Sequence, residues 1–301
     1  MPVSPPSGAA TPAAASPRTV LLRRAQLSVV EYRCASGPDA KPFVEQHRVH
    51  SISYVRRGGF GCRCRGRTFE LVTGALFIGY PGDEYSCTHE HPAGGDECLS
   101  FQFTPDVVDE LGDVPEAWRQ CAVPPLPALV VLGELAQAAA AGRADIALDE
   151  VGLLLARRLV TLASSPGPRS AGGGAASATD RQRAMRAALW IAANATEAIT
   201  LDQAAAEACL SPFHFLRVFS RVFGLTPHQY LIRRRLAQAA RLLAEESLPV
   251  TDVAFQVGFG DLSNFVRTFG QAAGLSPSGF RRLARGERRG LQQRLAAAVL
   301  Q

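Results

Sequence analysis

Lysine is almost absent. Lys41 is the sole lysine among 32 basic residues, so positive charge is carried by arginine. An arginine-rich genome explains the choice of base but not its placement, because acidic residues thin out only after Asp180. Residues 1–180 carry 16 basic and 19 acidic side chains, a net of −3, whereas 181–301 carry 16 and 8, a net of +8. A basic half suits a polyanion, nucleic acid or a membrane surface. Long apolar runs are missing too: the most hydrophobic helical stretch is interrupted by Glu134 and Gln137, which excludes a spanning segment of about eighteen apolar residues. The first 18 residues, MPVSPPSGAATPAAASPR, contain no apolar core, so a disordered leader over 1–18 is expected rather than a signal peptide. Seven cysteines, an odd number without a secretion signal, point to reduced thiols in a cytosol and not to a disulfide framework. No nucleophile–base pair and no paired catalytic carboxylates stand out, so the chain is not expected to be an enzyme.

What the chain does have is an internal repeat. Val250 to Phe280, VTDVAFQVGFGDLSNFVRTFGQAAGLSPSGF, falls on Leu201 to Tyr230, LDQAAAEACLSPFHFLRVFSRVFGLTPHQY, after a shift of about fifty positions. Phe215, Arg217, Phe219, Gly224, Leu225, Thr226, Pro227 and Tyr230 then coincide with Phe265, Arg267, Phe269, Gly274, Leu275, Ser276, Pro277 and Phe280. Each copy reads as a helix, a tight turn and a second helix. Thr200 with Gln203 is a capping-box pattern, and Ser211 before Pro212 is an N-cap followed by a first-turn proline. Phe215, Val218, Phe219 and Val222 recur at helical spacing and predict a buried stripe, which leaves Phe213, His214, Leu216, Arg217 and Arg221 outward. In the second copy Phe265 and Phe269 anchor the helix, while Leu262, Ser263, Val266 and Arg267 lie outward. A helix from Pro227 to about Ala244 joins the copies. At about 1.5 Å per residue it spans about 27 Å, which with the half-widths of its neighbours approaches the pitch of one DNA turn, about 34 Å. Arg233, Arg234 and Arg235 on that helix are expected to face phosphates.

The rest divides by texture. Residues 19–104 hold short runs such as Ser51–Val55, Leu76–Ile78 and Cys98–Phe103, separated by Gly turns, which predicts a β-barrel or double sheet. In residues 105–164 mostly apolar side chains recur at helical spacing, among them Leu129, Leu132 and Leu135, and then Val151, Leu154, Leu155 and Leu162, with Arg158 on the same stripe. These predict a helical hairpin that packs on the barrel or forms a homodimer interface. Residues 165–179, rich in Gly, Ser, Ala and Pro, read as a flexible linker. The double unit takes 180–286 and a helical tail 287–301. The fold class expected is thus α+β: a cupin-like N-terminal β-barrel with a helical hairpin, then an all-α C-terminal domain with two helix-turn-helix units.

The repeat resembles the DNA-binding domain of the AraC/XylS (arabinose-regulator) family. The likeness rests on ITLDQAAAEACLSPFHFLRVFSRVFGLTPHQYLIRRRLAQAARLLAEES and VTDVAFQVGFGDLSNFVRTFGQAAGLSPSGFRR, with the VGF turn, the RTF core and both GL(T/S)P junctions in order. It implies a double helix-turn-helix domain on double-stranded promoter DNA that contacts RNA polymerase. Phe213, His214, Leu216 and Arg217, with Leu262, Ser263, Val266 and Arg267, then fall on the DNA-facing surface; solvated surface arginines are the ordinary alternative. Cys209 stands where Gly is common and Leu216 where a polar residue is common, so fewer base hydrogen bonds are expected from the first unit. The family's frequent cupin-like sensing domain is similar in texture to 19–104, which implies a small-molecule effector, a homodimer and action as an activator. The competing function is a metal-dependent cupin-like enzyme with an appended DNA-binding module.

One cluster in that half carries chemistry. Cys87, His89 and His91 alternate along a candidate strand and so would share a face; Cys98 follows, and His47 and His50 lie on a neighbouring candidate strand. Thiolates and imidazoles converging in a barrel would hold zinc or another borderline metal. Cys-x-His-x-His matches no established ligand spacing, so interior polar residues or a plain effector pocket are the ordinary reading, and no cofactor is required.

Overall fold

The computed structural model describes residues 17–37, 40–42, 44–89, 95–112, 114–164 and 176–287. The expected leader up to residue 16, linker residues 165–175, tail residues 288–301 and His91 lie outside the described residues.

Among the described residues nine antiparallel strands form the N-terminal half: β1 (Arg18–Arg23), β2 (Leu27–Cys34), β3 (Val44–Gln46), β4 (His50–Cys64), β5 (Arg67–Val72), β6 (Leu76–Gly79), β7 (Glu84–Thr88), β8 (Asp96–Phe103) and β9 (Ala122–Val123). β4, at 15 residues, organises the sheet. Its first part pairs with β6 and β8, and from Gly59 onward it pairs with β5 and β7. The change of partners follows Gly58, whose φ of +73° only glycine adopts freely and whose missing Cβ lets the backbone of Gly95 approach. The main path runs β1-β2-β8-β4-β6-β9. Among the described residues its end strands do not meet, β1 pairing only with β2 and β9 only with β6, so the sheet is open there and not the closed barrel expected.

Alternation gives the sheet two buried faces. Leu27, Val29, Ile52, Tyr54, Leu99, Phe101 and Phe103 form one with the helices that cover them, and Val55, Phe60, Cys62, Cys64, Phe69, Phe77, Cys98 and Cys121 form the other. Cys64 and Cys121 are joined as a disulfide, which corrects the expectation that every thiol is reduced. Their Cα atoms stand 6.3 Å apart across 57 residues of sequence, a proximity only the tertiary fold creates.

Four helices follow: α1 (Pro105–Glu110), α2 (Pro115–Trp118), α3 (Pro127–Ala140) and α4 (Leu148–Ser164). α3 is buried on nearly every side, from Leu129 through Ala136. A helix apolar all round belongs in a core, and α3 lies between the sheet and the C-terminal helices: Gly133 is so close to Tyr54 that a Cβ there would overlap the ring. α4 turns Val151, Leu155 and Leu159 into the same core.

The C-terminal half is helical: α5 (Ala178–Ala193), α6 (Leu201–Glu207), α7 (Pro212–Phe223), α8 (Pro227–Glu245), α9 (Val250–Gln256), α10 (Leu262–Ala273) and α11 (Pro277–Ala284). Among the described residues no helix is long and apolar enough to cross a membrane. The two halves are packed together. Leu236, Ala240 and Leu243 of α8 share one core with the sheet and α3, Arg181 pairs with Glu70 at 3.0 Å, and the Asp145 amide donates to the Ala284 carbonyl at 2.6 Å. At the centre of the junction Glu134, fully buried, accepts from the Tyr54 hydroxyl at 2.8 Å and from Nε and Nη2 of Arg241 at 3.2 and 3.0 Å. Burial, and then the Glu134 carboxylate, push the Tyr54 phenol well above the usual tyrosine range, so its hydroxyl stays a donor. One carboxylate from α3 thereby ties a sheet strand to α8.

Candidate nucleic-acid interface

The two repeat copies fold into α6–α7 and α9–α10, with α8 as the strut between them. Local chemistry sets the ends. Thr200 and Gln203 close a full capping box on α6, and Thr226 and Gln229 do the same on α8. Asp261 caps α10 by accepting from the Asn264 amide at 2.6 Å. α7 and α10 both stop at a left-handed glycine, Gly224 at φ +68° and Gly274 at φ +69°. Their cores repeat as well: Phe219 meets Phe215 and Tyr230, as Phe269 meets Phe265 and Phe280, with ring centroids 5.4 to 6.0 Å apart.

With those rings committed inward, the opposite stripes face solvent. Phe213, His214, Arg217 and Arg221 are exposed on α7 and Leu216 is half-buried; Ser263, Val266 and Arg267 are exposed on α10 and Leu262 is half-buried. Phe213 is 73 % exposed, an arrangement a large ring keeps for a contact surface. Arg267 is held: its Nη2 donates to Asn264 Oδ1 at 3.1 Å, and Thr268 Oγ1 donates to the same oxygen at 3.3 Å. A side chain steadied in this way is ready for bidentate contact with guanine or for a phosphate.

The three arginines of α8 correct an expectation. Arg235 donates to the carbonyls of Ala195 and Glu197 at 2.8 and 2.9 Å, which ties the strut to the segment that follows α5. Nη1 of Arg233 and Nε and Nη1 of Arg234 are enclosed, and burial alone brings the Arg233 guanidinium down to about 10. All three side chains are half-buried, Arg234 beside Gly74 of the N-terminal half and Arg235 against the segment after α5, a covering that the sequence of α8 does not reveal.

The copies differ at the turn. Cys209 sits at φ +51° where the second copy has Gly258 at φ +88°. A left-handed non-glycine residue costs about 1–2 kcal/mol, and glycine returns about 0.5–1 kcal/mol of that as chain entropy. Cys209→Gly is therefore expected to raise stability by about 0.5 kcal/mol in urea titration, whereas Gly258→Ala, whose Cβ would lie 2.8 Å from the Thr196 carbonyl oxygen, should lower it. The same sign for both would contradict this account of the turns.

In the sheet the predicted cluster scatters in part. His47 stacks on Tyr85 at 4.2 Å, and burial lowers it to about 4, so it is neutral. His50 instead lies edge-on to Tyr80 and Trp118. Cys87 stands opposite Cys62 in the β4–β7 register, and its hydrogen bond to Cys62, and then burial, raise its thiol well above the usual range. His89 lies past the end of β7, and its Nε2 is 2.8 Å from Asp96 Oδ2. The Asp96 hydrogen bond first, and then Cys34, push His89 up to about 9. Cys98 Sγ reaches Asp96 Oδ1 at 3.6 Å. Cys34 and Asp96 were not singled out from the sequence; the signal is their register, since Cys34 faces Asp96 across β2 and β8.

Two helix-turn-helix units on a common strut, each showing solvent an arginine-bearing stripe, define a helix-turn-helix DNA-binding protein. Residues 204–283 match the family model described as a helix-turn-helix domain. The HTH-type transcriptional activator AarP of Providencia stuartii is 33% identical over 93 residues, 31% of this chain and 69% of that protein. The melibiose operon regulatory protein of Escherichia coli (strain K12) is 32% identical over 99 residues, a third of either chain. Among solved structures, the DNA-binding domain of AdpA in complex with a target DNA is 30% identical, with a TM-score of 0.34, and the match covers 36% of this chain and 97% of that one. The chain belongs to the AraC/XylS family of transcriptional regulators.

Proposed function

We propose that the chain is a promoter-binding transcriptional regulator, an activator, whose α7 and α10 enter successive major grooves on one face of double-stranded DNA. The observation that carries this reading is the pairing of two exposed stripes, Phe213–Arg217 and Leu262–Arg267, at either end of one strut. α8 has 19 residues, about 28 Å at 1.5 Å per residue, close to what the spacing of adjacent grooves needs once the flanking helices are added. Arg217 and Arg267, together with Arg221, supply phosphate or guanine contacts, and Leu216 and Val266 supply apolar contacts to thymine methyls. The activator names of relatives such as AarP support the sign of regulation.

The rest of the reading concerns control. Residues 19–104, cupin-like in texture, receive a small effector or another signal, 105–164 relay it, and 180–286 bind DNA in contact with RNA polymerase in the cytoplasm. The packing of α3 between the sheet and α8 supports a route by which such a signal alters how α7 and α10 are held. A homodimer would place two such domains on one promoter, and the partly exposed Leu153, Leu154 and Leu162 of α4 offer a face for it. Relatives such as AarP and the melibiose operon regulator are transcriptional regulators, which favours regulation over the metal-dependent enzyme. A gel-shift titration of the full chain on the DNA upstream of its own coding region, at two salt concentrations, tests the reading. Binding that weakens steeply with salt and survives excess unrelated DNA is expected. Binding that any duplex competes away equally would contradict sequence-specific regulation.

A further inference from the structure

Four of the five unlinked cysteines gather at one end of the sheet. Cys62 and Cys87 face each other across β4 and β7, and Cys98 is within 3.6 Å of Asp96. The fourth, Cys34, ends β2 directly opposite Asp96, the first residue of β8. His89, just beyond β7, completes the group. One ligand atom each from Cys34, His89 and Asp96 lies within 4.8 Å of the other two, and His89 and Asp96 are only 8 % and 9 % exposed. Phe60 walls the group on one side, its ring centroid 6.2 Å from that of His89.

From this geometry we infer that Cys34, His89 and Asp96 form a three-ligand site for a divalent thiophilic cation, zinc. The donor set, one sulfur, one imidazole nitrogen and one carboxylate oxygen, is one that zinc accepts at about 2.0–2.3 Å. Bonds of that length at tetrahedral angles place ligand atoms about 3.3–3.7 Å apart, so atoms now within 4.8 Å of one another need approach by no more than about 1.5 Å, which side-chain rotation supplies. Cys98 holds the second oxygen of Asp96, the outer-shell role that orients a ligating carboxylate. Three protein ligands leave a fourth position for water, an effector group or a further thiolate. The site differs from the one the sequence suggests: His47, His50 and Cys87 are not ligands, and Cys34 and Asp96 are.

The ligands stand at the end of β2, just past the end of β7 and at the start of β8, so the ion would pin these three places together. β4 carries Cys62 and Phe60 on this side and, at Gly59, lies against Met185 of α5, one strand away from the first helix-turn-helix unit. A regulatory consequence for metal occupancy rests on the promoter-binding reading; the site itself does not.

The full chain, stripped with a chelator and without DNA, is titrated with Zn2+ against a chromophoric competitor. One equivalent is expected to bind. Cys34→Ser and His89→Ala should each weaken it by more than about 100-fold, beyond the 10- to 100-fold typical of outer-shell changes, while Cys209→Ser leaves it unchanged. Loading the wild-type chain with Co2+ should give thiolate-to-metal charge-transfer absorption, a test that needs no variant to fold. Absence of stoichiometric zinc, a cobalt spectrum without the thiolate band, or undiminished affinity in a folded Cys34→Ser protein would overturn the site and leave a plain buried His89–Asp96 ion pair. Because no DNA is present, failure here is distinct from failure of promoter binding.

Discussion

Removing both outward arginines, Arg217→Ala with Arg267→Ala, is expected to weaken promoter binding by about 2–6 kcal/mol, at least about thirtyfold. Each bidentate contact to a base discriminates by about 1–3 kcal/mol, and the two residues sit in separate units, so their losses should add. Both are exposed and lie outside the aromatic cores, so stability should move by no more than about 0.5 kcal/mol. Salt dependence separates the two roles an arginine can play. If both hold phosphates, the slope of log affinity against log salt falls by about one for each residue and all sequences weaken alike. If they read bases, the slope holds and preference relaxes at two positions. Unchanged affinity with unchanged slope would remove both residues from the interface.

The second large effect is expected inside the protein. Glu134→Ala leaves Arg241 without its carboxylate and strips the acceptor from the Tyr54 hydroxyl. Breaking a buried, hydrogen-bonded pair costs about 3–5 kcal/mol. The Arg241 side chain is 30% exposed, so water compensates in part and about 3 kcal/mol is expected, read as a lower urea midpoint with an unchanged slope. Glu134→Gln, which keeps an acceptor for Tyr54 but loses the charge, should fall between. A loss below about 1 kcal/mol for the alanine variant would mean that the junction between the sheet and α8 does not depend on this carboxylate.

The sequence and the structure agree where the signal is local. The capping box at Thr200 and the inward stripe Phe215, Val218, Phe219 and Val222 are each written within a few residues, and each is found in place. Twofold repetition makes them easier to read, since an outward Arg217 is ambiguous alone and less so beside Arg267. What stays hidden depends on parts of the chain distant in sequence. Arg233 and Arg234 occupy polar-looking positions on α8, and only the fold reveals that guanidinium nitrogens of both are enclosed. Glu134 looks like a break in an apolar helix until Tyr54 and Arg241 arrive from residues 80 and 107 positions away. The cluster at Asp96 has the same character. Alternation along one strand suggested Cys87, His89 and His91 as partners, but β7 ends at Thr88, and the register of β2 on β8 supplies Cys34 instead. The change of partners along β4 at Gly58 is likewise hidden, a single backbone conformation within a run that otherwise reads as continuous strand.

Hydroxyl-radical footprinting of the full chain on its own upstream DNA tests the central claim most directly, because it reads the spacing of the two units on the duplex. Two protected patches per bound domain, on the same face of the helix and about one turn or 10 base pairs apart, are expected, and Arg267→Ala should fade one patch while sparing the other. A single patch, or two patches on opposite faces of the duplex, would contradict an interface built from α7 and α10 at the two ends of α8.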